Sequence, residues 1–551
     1  MFKNIYIIKY MLFEPSDRNY SEPITISSRV ISPIKERLLV GDTINETSIS
    51  HTSKYRTETS IPGILVYNGQ SFGRHKDKML YKCIPNDKKL PIFLIPYSDK
   101  KSNFNKVKLN KYILFKFVEW KDKHPLAMIT NTLGDVNNTY VYYDYQLYCK
   151  NIHYSIQKLT KCTNKELLPY KKKEIFNDEI KSRNDVEIIT IDPEGSIDFD
   201  DALSIDTTSN TTIITVYISN VPFVLDKLNL WDELSNRVST IYLPHEKKPM
   251  LPPALSDNIC SLIEKKIRSV VAMDIHITSD GEIIDINYSN CFVKVDKNYV
   301  YEDKDLINNI NYKLLLDYAI KINNNKKYLD NIDDSHDVVA LYMILMNHEV
   351  GKYLSSHNSG IYRDVKYVDA NLESINVSNT LRKFLNIYNN VEANYKLYEL
   401  DIEHQLIGKG VDYYTQVTSP IRRIVDLINI ILLQKYDGLI ETNDSINNFI
   451  DKWLKSIQTI NNDMKSIRKV QNDCNLLNEC IVNNKQQSYE GYIIKFDKNY
   501  DNYSVYLPSI KLLTYVKSND KLEIYKKYSF TIHVFNDEYT LKQKVRLQMI
   551  Y

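Results

Sequence analysis

The segment Ile188 to Ile205 constrains this chain more than any other stretch. An apolar run, Ile188-Ile189-Thr190-Ile191, ends at Asp192; a Pro193-Glu194-Gly195-Ser196 turn follows; Asp198, Asp200 and Asp201 then open a second apolar run, Ala202-Leu203-Ser204-Ile205. If the second run is extended, Asp198 and Asp200 share a face, and Asp192 meets them across the turn. Two like charges about 4 Å apart repel by roughly 4 kcal/mol at an effective dielectric of about 20. Four carboxylates beside apolar strands therefore call for protons or cations. Hard divalent cations with oxygen ligands, magnesium foremost, meet that need. They also suit phosphoryl chemistry, in which a metal activates water and steadies the leaving oxygen. A solvated acidic turn is the competing reading, because Asp is a common turn residue. An EF-hand is excluded, since Leu203 stands where its loop needs Gly.

A chain of 551 residues exceeds a single hydrophobic core and suggests about three or four domains. With 43% hydrophobic and 25% charged residues, disorder is excluded as the main state. Lys and Arg number 71 against 69 Asp and Glu, so a nucleic-acid partner would need a locally assembled positive surface. Only 13 glycines are present, which disfavours a Gly-rich nucleotide loop. The 43 tyrosines offer stacking surfaces, but the accompanying excess of Lys, Asn and Ile looks like AT-rich codon usage. Seven scattered cysteines without a CxxC argue against a disulfide framework or zinc ribbon and for a reducing compartment. The run from Ile5 to Phe13, interrupted by Lys9, is too short for a bilayer and lacks a cleavage site; it reads as a first strand.

Residues 1–180 read as short strands separated by polar turns, such as Gly63-Ile64-Leu65-Val66-Tyr67 and Tyr112 to Val118, with an exposed helix or linker around Lys171-Lys172-Lys173-Glu174. Strands continue from Glu187 to about residue 290. A helical stripe follows at Val338, Leu341, Leu345, His348 or Glu349, and Tyr353, and two more helical stretches cover about 420–436 and 450–482. From Tyr489 the pattern returns to strands, as expected for an OB-type barrel. His348-Glu349 begins like a zinc-protease motif, but Lys352 occupies the second His position and excludes it.

A second informative segment is Thr418-Ser419-Pro420-Ile421-Arg422-Arg423. Ser419 suits an N-cap and Pro420 the first helical position, which would place Arg422 and Arg423 in the first turn. Cations there oppose the helix dipole. Either an anion such as phosphate sits at this helix end, or the arginines reach back to nearby acids.

Together these segments resemble the RNB family of exoribonucleases, the ribonuclease II type. Asp192, Asp198, Asp200 and Asp201 match its acidic motif; Thr240-Ile241-Tyr242-Leu243-Pro244 with Pro249-Met250-Leu251-Pro252, Leu255 to Leu262, Met346 to Val350, Tyr362-Arg363 and the arginine segment match later motifs in order. The likeness covers about 185–480, and Ile113 to Asp135 resembles the second cold-shock domain of the exosome-associated members, here without room for a PIN domain. Departures are Gln471 for a frequent Glu, Gln416 for His, Ile424 for Tyr, and Tyr217 and Asn220 for His and Asp.

The resemblance implies a multidomain α+β fold: an N-terminal extension (1–39), two OB-type cold-shock β-barrels (40–105 and 106–165), a central mixed α/β RNB domain with its linker (166–482), and a C-terminal OB-type barrel (483–551). It implies a processive, magnesium-dependent hydrolytic exoribonuclease that degrades single-stranded RNA from the 3′ end to nucleoside 5′-monophosphates. Asp192, Asp198, Asp200 and Asp201 would hold Mg2+, Asp200 and Arg422 would be catalytic, and Tyr242, Tyr301 and Arg423 would contact RNA. No membrane partner is expected, decay-complex partners stay open, and the expected location is cytoplasmic, with nuclear or viral settings open. The alternative is an inactive RNB-like RNA-binding regulator or the scaffold of a decay complex.

Overall fold

The computed structural model describes residues 10–550 apart from 27–28, 99–107, 172–181, 184, 208–210, 367–377, 379–380, 383, 386–391, 400–401, 403–410, 483–487, 511, 519 and 537–542. The chain forms two compact units, Met1–His153 with Leu243–His245 and Lys469–Tyr551, and Tyr154–Tyr242 with Glu246–Arg468.

In the first unit, strands Ile61–Leu65, Lys111–Glu119, Leu126–Asp135, Phe93–Tyr97 and Lys78–Pro85 pair in that order, and Lys78–Pro85 pairs back to Ile61–Leu65. This closes one barrel across residue 105, where two separate barrels were expected. The cause lies in strand pairing, because Ile61–Leu65 lies between Lys111–Glu119 and Lys78–Pro85. Gly63 permits that closeness: a Cβ there would stand 2.8 Å from both Cys83 Sγ and Phe115 Cε1. Phe13, Tyr20, Ile31 and Leu38 join the same buried core, so the N-terminal extension is part of this body. The expected first strand is seen only at Met11–Leu12; residues 1–9 lie outside the described residues.

Two helices, Thr139–Cys149 and Gln157–Glu166, follow, a second departure from the expected barrel at 106–165. Asn138 caps the helix Thr139–Cys149 by accepting from the Tyr140 and Val141 N–H groups. Its buried Tyr145 stacks on Tyr112 with ring centroids 4.3 Å apart. At the C-terminal end, Leu512–Val516, Asn502–Leu507, Tyr489–Asp497, Lys527–Asn536 and Gln543–Ile550 form a five-stranded antiparallel sheet whose two edge strands also pack together.

The second unit is built on a seven-stranded mixed sheet, ordered Ser182–Arg183, Ile283–Lys294, Ile267–Ile277, Thr212–Ser219, Asp201–Asp206, Ile189–Asp192, Lys297–Val300. The middle strands are buried on both faces, as their largely apolar runs lead one to expect. One face carries Ala202, Tyr217, Val270, Ala272 and Cys291; helices Ile310–Lys326 and Ser335–Ser356 pack on the sheet. The expected stripe Val338, Leu341 and Leu345 is buried in Ser335–Ser356. His348 also lies inside, 2.7 Å from the Tyr328 hydroxyl, with its pKa depressed to about 3 by burial and by Lys352 and Lys326.

Candidate active site

The acidic segment folds as two neighbouring antiparallel strands joined by the 193–200 loop, which places all four aspartates at one end of the sheet. Asp192 ends its strand, its carbonyl accepting from the Tyr301 N–H at 3.1 Å; Asp201 begins the next. The loop is pinned at Ser261, whose Oγ accepts from the Phe199 N–H at 3.0 Å and donates to the Ile197 carbonyl at 2.9 Å.

The arginine segment reaches this end from far along the chain. Ser419 closes a tight turn by accepting from the Arg422 and Arg423 N–H groups. The chain then runs extended against residues 238–240: the Thr240 N–H donates to the Arg422 carbonyl and the Ile424 N–H to the Val238 carbonyl, both at 2.9 Å. Arg423 is thus itself the N-cap, and the helix begins at Ile424. Arg422 and Arg423 precede the helix instead of filling its first turn, because Arg422 lies in the Ser419 turn and the tertiary pairing holds Arg423 extended. The anion at the helix start is internal. Asp426, wholly buried, accepts from the Ser419 N–H at 2.8 Å and from Arg423 Nη2 at 2.7 Å. Arg423, expected to contact RNA, is thus paired with Asp426 and keeps a side chain 20% exposed.

Arg422 joins the acidic cluster directly. Its Nε donates to Asp200 Oδ2 at 3.1 Å and its Nη2 to Ser419 Oγ at 2.9 Å, while the Ile421 N–H donates to Asp200 Oδ1 at 2.9 Å. The hairpin of Ile241–Tyr242 with Lys247–Lys248 approaches Asp198: Tyr242 OH stands 3.4 Å from Oδ2 and Lys247 Nζ 3.2 Å from Oδ1. Lys247 also pairs with Asp257 at 2.8 Å. Tyr242 is 40% exposed beside the cluster, and its phenol is pushed up to about 12 by burial and by Asp198. Tyr301 is half-buried, with one ring face stacked on His336 at 3.7 Å between centroids.

Electrostatics divide the aspartates. Asp200 is 3% exposed, and burial pushes its carboxyl from 3.8 to about 7 although Arg422 and the Ile421 N–H pull it down. Arg422 gains from the pair and its own pKa rises; Asp200 loses more hydration than the pair returns. Asp192 and Asp201 are also raised, first by burial and then by nearby carboxylates: Asp200 and Asp198 act on Asp192, and Asp192 acts on Asp201. Neither has an ion-pair partner within 4.0 Å among the described residues, although Arg422 acts on both, and Arg423 on Asp201, from farther off. Buried oxygen donors pushed towards protonation are what a hard cation would relieve, so these residues fit a divalent ion. Among the described residues, no three of the four aspartates bring one oxygen each within 4.8 Å of one another. A shared ion would draw them closer.

The sequence did not disclose Lys247, Asp257, Ser419 in its turn role, or Asp426. Nor did it disclose Asn347, which braces the approach to the arginines by donating to Tyr414 OH at 2.9 Å and accepting from the Val417 N–H at 2.8 Å. Of the departures, Tyr217 is buried against Ser204, Asn220 lies in an amide network with Gln434 and Asn290, and Gln416 accepts from Tyr395 OH.

Residues 181–313 match the family model for the RNB domain. The chain carries an RNB domain. Among curated relatives of this RNB-containing chain, exoribonuclease 2 of Psychromonas ingrahamii is 27% identical over 359 residues, covering 51% of this chain and 54% of that protein. The chain thus spans about half the length of that relative. The apo RNase R of Mycoplasma genitalium has the same fold, with a TM-score of 0.69 at 16% identity, covering 98% of this chain and 94% of that one. That RNase R has also been solved in complex with ribose-methylated single-stranded RNA. Yeast Ssd1, described as a pseudonuclease, matches with a TM-score of 0.58 at 14% identity, covering 89% of this chain and 68% of that one.

Proposed function

We propose that this protein is a divalent-metal-dependent, processive hydrolytic exoribonuclease that shortens single-stranded RNA from its 3′ end and releases nucleoside 5′-monophosphates. The observation that carries the reading is the pair of half-buried carboxylates Asp192 and Asp201, pushed towards protonation beside the Arg422–Asp200 ion pair. Asp192 and Asp201 would hold the ion, with Asp198 and Asp200, each paired with a protein cation, lining the site beside it. Bound there, Mg2+ would supply a Lewis acid for attack by water on a phosphodiester. Arg422, 41% exposed at its side chain, has donors left to face the scissile phosphate and offset charge that grows in the transition state. Asp200 fixes the guanidinium by its Nε and Ser419 Oγ by its Nη2, leaving Nη1 to address the phosphate. Tyr242 and the open face of Tyr301 would stack on bases near the 3′ end, a contact worth about 1–3 kcal/mol per base and indifferent to sequence. Arg423 supports the turn that presents Arg422.

The first barrel and the C-terminal sheet would act as OB-type RNA-binding elements that supply affinity, while the sheet-based unit supplies chemistry. A reducing, cytoplasmic setting is part of the proposal, resting on the scattered cysteines without a CxxC in the sequence. The second reading is an inactive RNA-binding regulator or scaffold, favoured by the likeness to a pseudonuclease. The four aspartates and Arg422 favour the enzyme. The test is a 5′-labelled single-stranded RNA oligonucleotide incubated with the protein in Mg2+ or in chelator. A Mg2+-dependent ladder shrinking from the 3′ end, with nucleoside 5′-monophosphates released, supports the enzyme. RNA binding without shortening would establish the regulator.

A further inference from the structure

The four aspartates differ in which positive charge already balances them. Asp200 belongs to Arg422. Asp198 belongs to the hairpin, where Tyr242 and Lys247 are direct cross-strand partners and each addresses one of its carboxylate oxygens. Lys247 is no loose surface cation: its side chain is 19% exposed, and Asp257, itself bonded by Ser256 Oγ at 2.6 Å, holds the ammonium from a second side. That leaves Asp192 and Asp201, whose two negative charges equal one divalent cation. A second ion would need oxygen ligands from Asp198 or Asp200, and each is already engaged by a fixed protein cation. An ammonium is a compact point charge with three donors, and it can occupy the electrostatic position of a metal ion beside a carboxylate without needing a ligand shell.

We propose that Lys247 takes the place of a second divalent ion, so that the site holds a single ion at Asp192 and Asp201 with the Lys247 ammonium, anchored by Asp257, as the fixed positive charge beside Asp198. This inference rests on the nuclease reading above and adds to it how the site is charged. Lys247 is a positioning residue in this arrangement: it fixes Asp198 and the side of the site next to Tyr242.

The test counts ions directly. The full-length protein is stripped of metal and titrated with Mn2+, and free Mn2+ is followed by electron paramagnetic resonance. One ion per chain is expected for the wild type. Lys247→Met keeps the aliphatic stem, removes the charge and frees Asp198; a second ion should then bind at least tenfold more tightly than any second ion does in the wild type. Because Asp257 would be left without its cation, Lys247→Met/Asp257→Asn is titrated in parallel, with circular dichroism melts to confirm folding; the same gain of a second ion is expected. Two ions of similar affinity in the wild type would overturn the proposal, as would a single ion in both folded variants. RNA shortening by a wild-type protein carrying two ions would overturn only the role of Lys247. No Mn2+ binding together with no RNA shortening would overturn the nuclease reading beneath it as well.

Discussion

Replacing Asp200 by Asn should separate stability from activity. Asp200 is 3% exposed, and its carboxyl is held at about 7 against 3.8 in the unfolded chain. Each tenfold change in proton affinity is worth about 1.4 kcal/mol, so the ionised form carries a net penalty of about 4 kcal/mol in the ion-free fold. That figure already includes the attraction of Arg422, which burial outweighs. The sign follows: the folded state binds the proton more tightly, so this contribution to stability is full below 3.8 and is lost as pH rises through about 7. Asn resembles the protonated acid in shape and keeps an acceptor for the Ile421 N–H. It also turns an amide donor towards the guanidinium, a mismatch of about 1–3 kcal/mol. The balance leaves Asp200→Asn more stable than the wild type by about 1–3 kcal/mol at roughly pH 8 in chelator, with a smaller fall in melting temperature between about pH 5 and 8. RNA shortening in Mg2+ should drop by at least about 100-fold, because Arg422 loses its anchor and the metal site a charge. The assays are paired: thermal melts in chelator across pH, and initial rates on labelled RNA. A variant that melts well below the wild type at pH 8 would refute the argument that burial dominates at Asp200, and near-normal turnover would refute its place in the active site.

Arg422→Ala should lower turnover by about 10²–10³-fold while RNA affinity changes little, and Arg422→Lys should restore only part, since a point charge does not replace a planar fork; a sharp loss of affinity at normal turnover would make Arg422 an ordinary phosphate anchor. Gly351→Ala should destabilise the protein by more than about 3 kcal/mol, read as a fall in melting temperature, because the added Cβ would stand 1.7 Å from the Tyr413 carbonyl oxygen and backbone cannot yield that distance; an unchanged melt would show that the 413–415 segment packs elsewhere. RNA binding should weaken with salt at a log–log slope of about −0.7 per phosphate neutralised; a flat response between about 50 and 200 mM salt would contradict an electrostatic groove.

What was legible in the sequence is what local pattern can carry. Four aspartates bordering apolar strands raised a metal site beside the reading of a solvated acidic turn, and the resemblance of the later motifs, not spacing alone, chose between them. The helix Ser335–Ser356 announced itself by its stripe. The barrels did not, because closure depends on which strands pair, and Ile61–Leu65 pairs forward to 111–115 and also to 83–85. Thr139–Cys149 did not either: Tyr140-Val141-Tyr142-Tyr143 has strand propensity, and only the burial of its rings, Tyr145 against Tyr112 among them, makes it a helix. The start of the helix after the arginines was misplaced for the same reason. Ser419 and Pro420 carry a sound local signal, and the bridge to residues 238–240 overrides it. The same limit governs the chemistry. A sequence displays the acids of a site, but the cation that balances each is chosen by topology: Arg422 meets Asp200 across 222 residues, and Tyr242 and Lys247 reach Asp198 because a hairpin register sets them side by side. Counting carboxylates therefore overstates how many metal ions a site needs. The number of ions follows from the carboxylates that the fold leaves without a fixed cation, here Asp192 and Asp201.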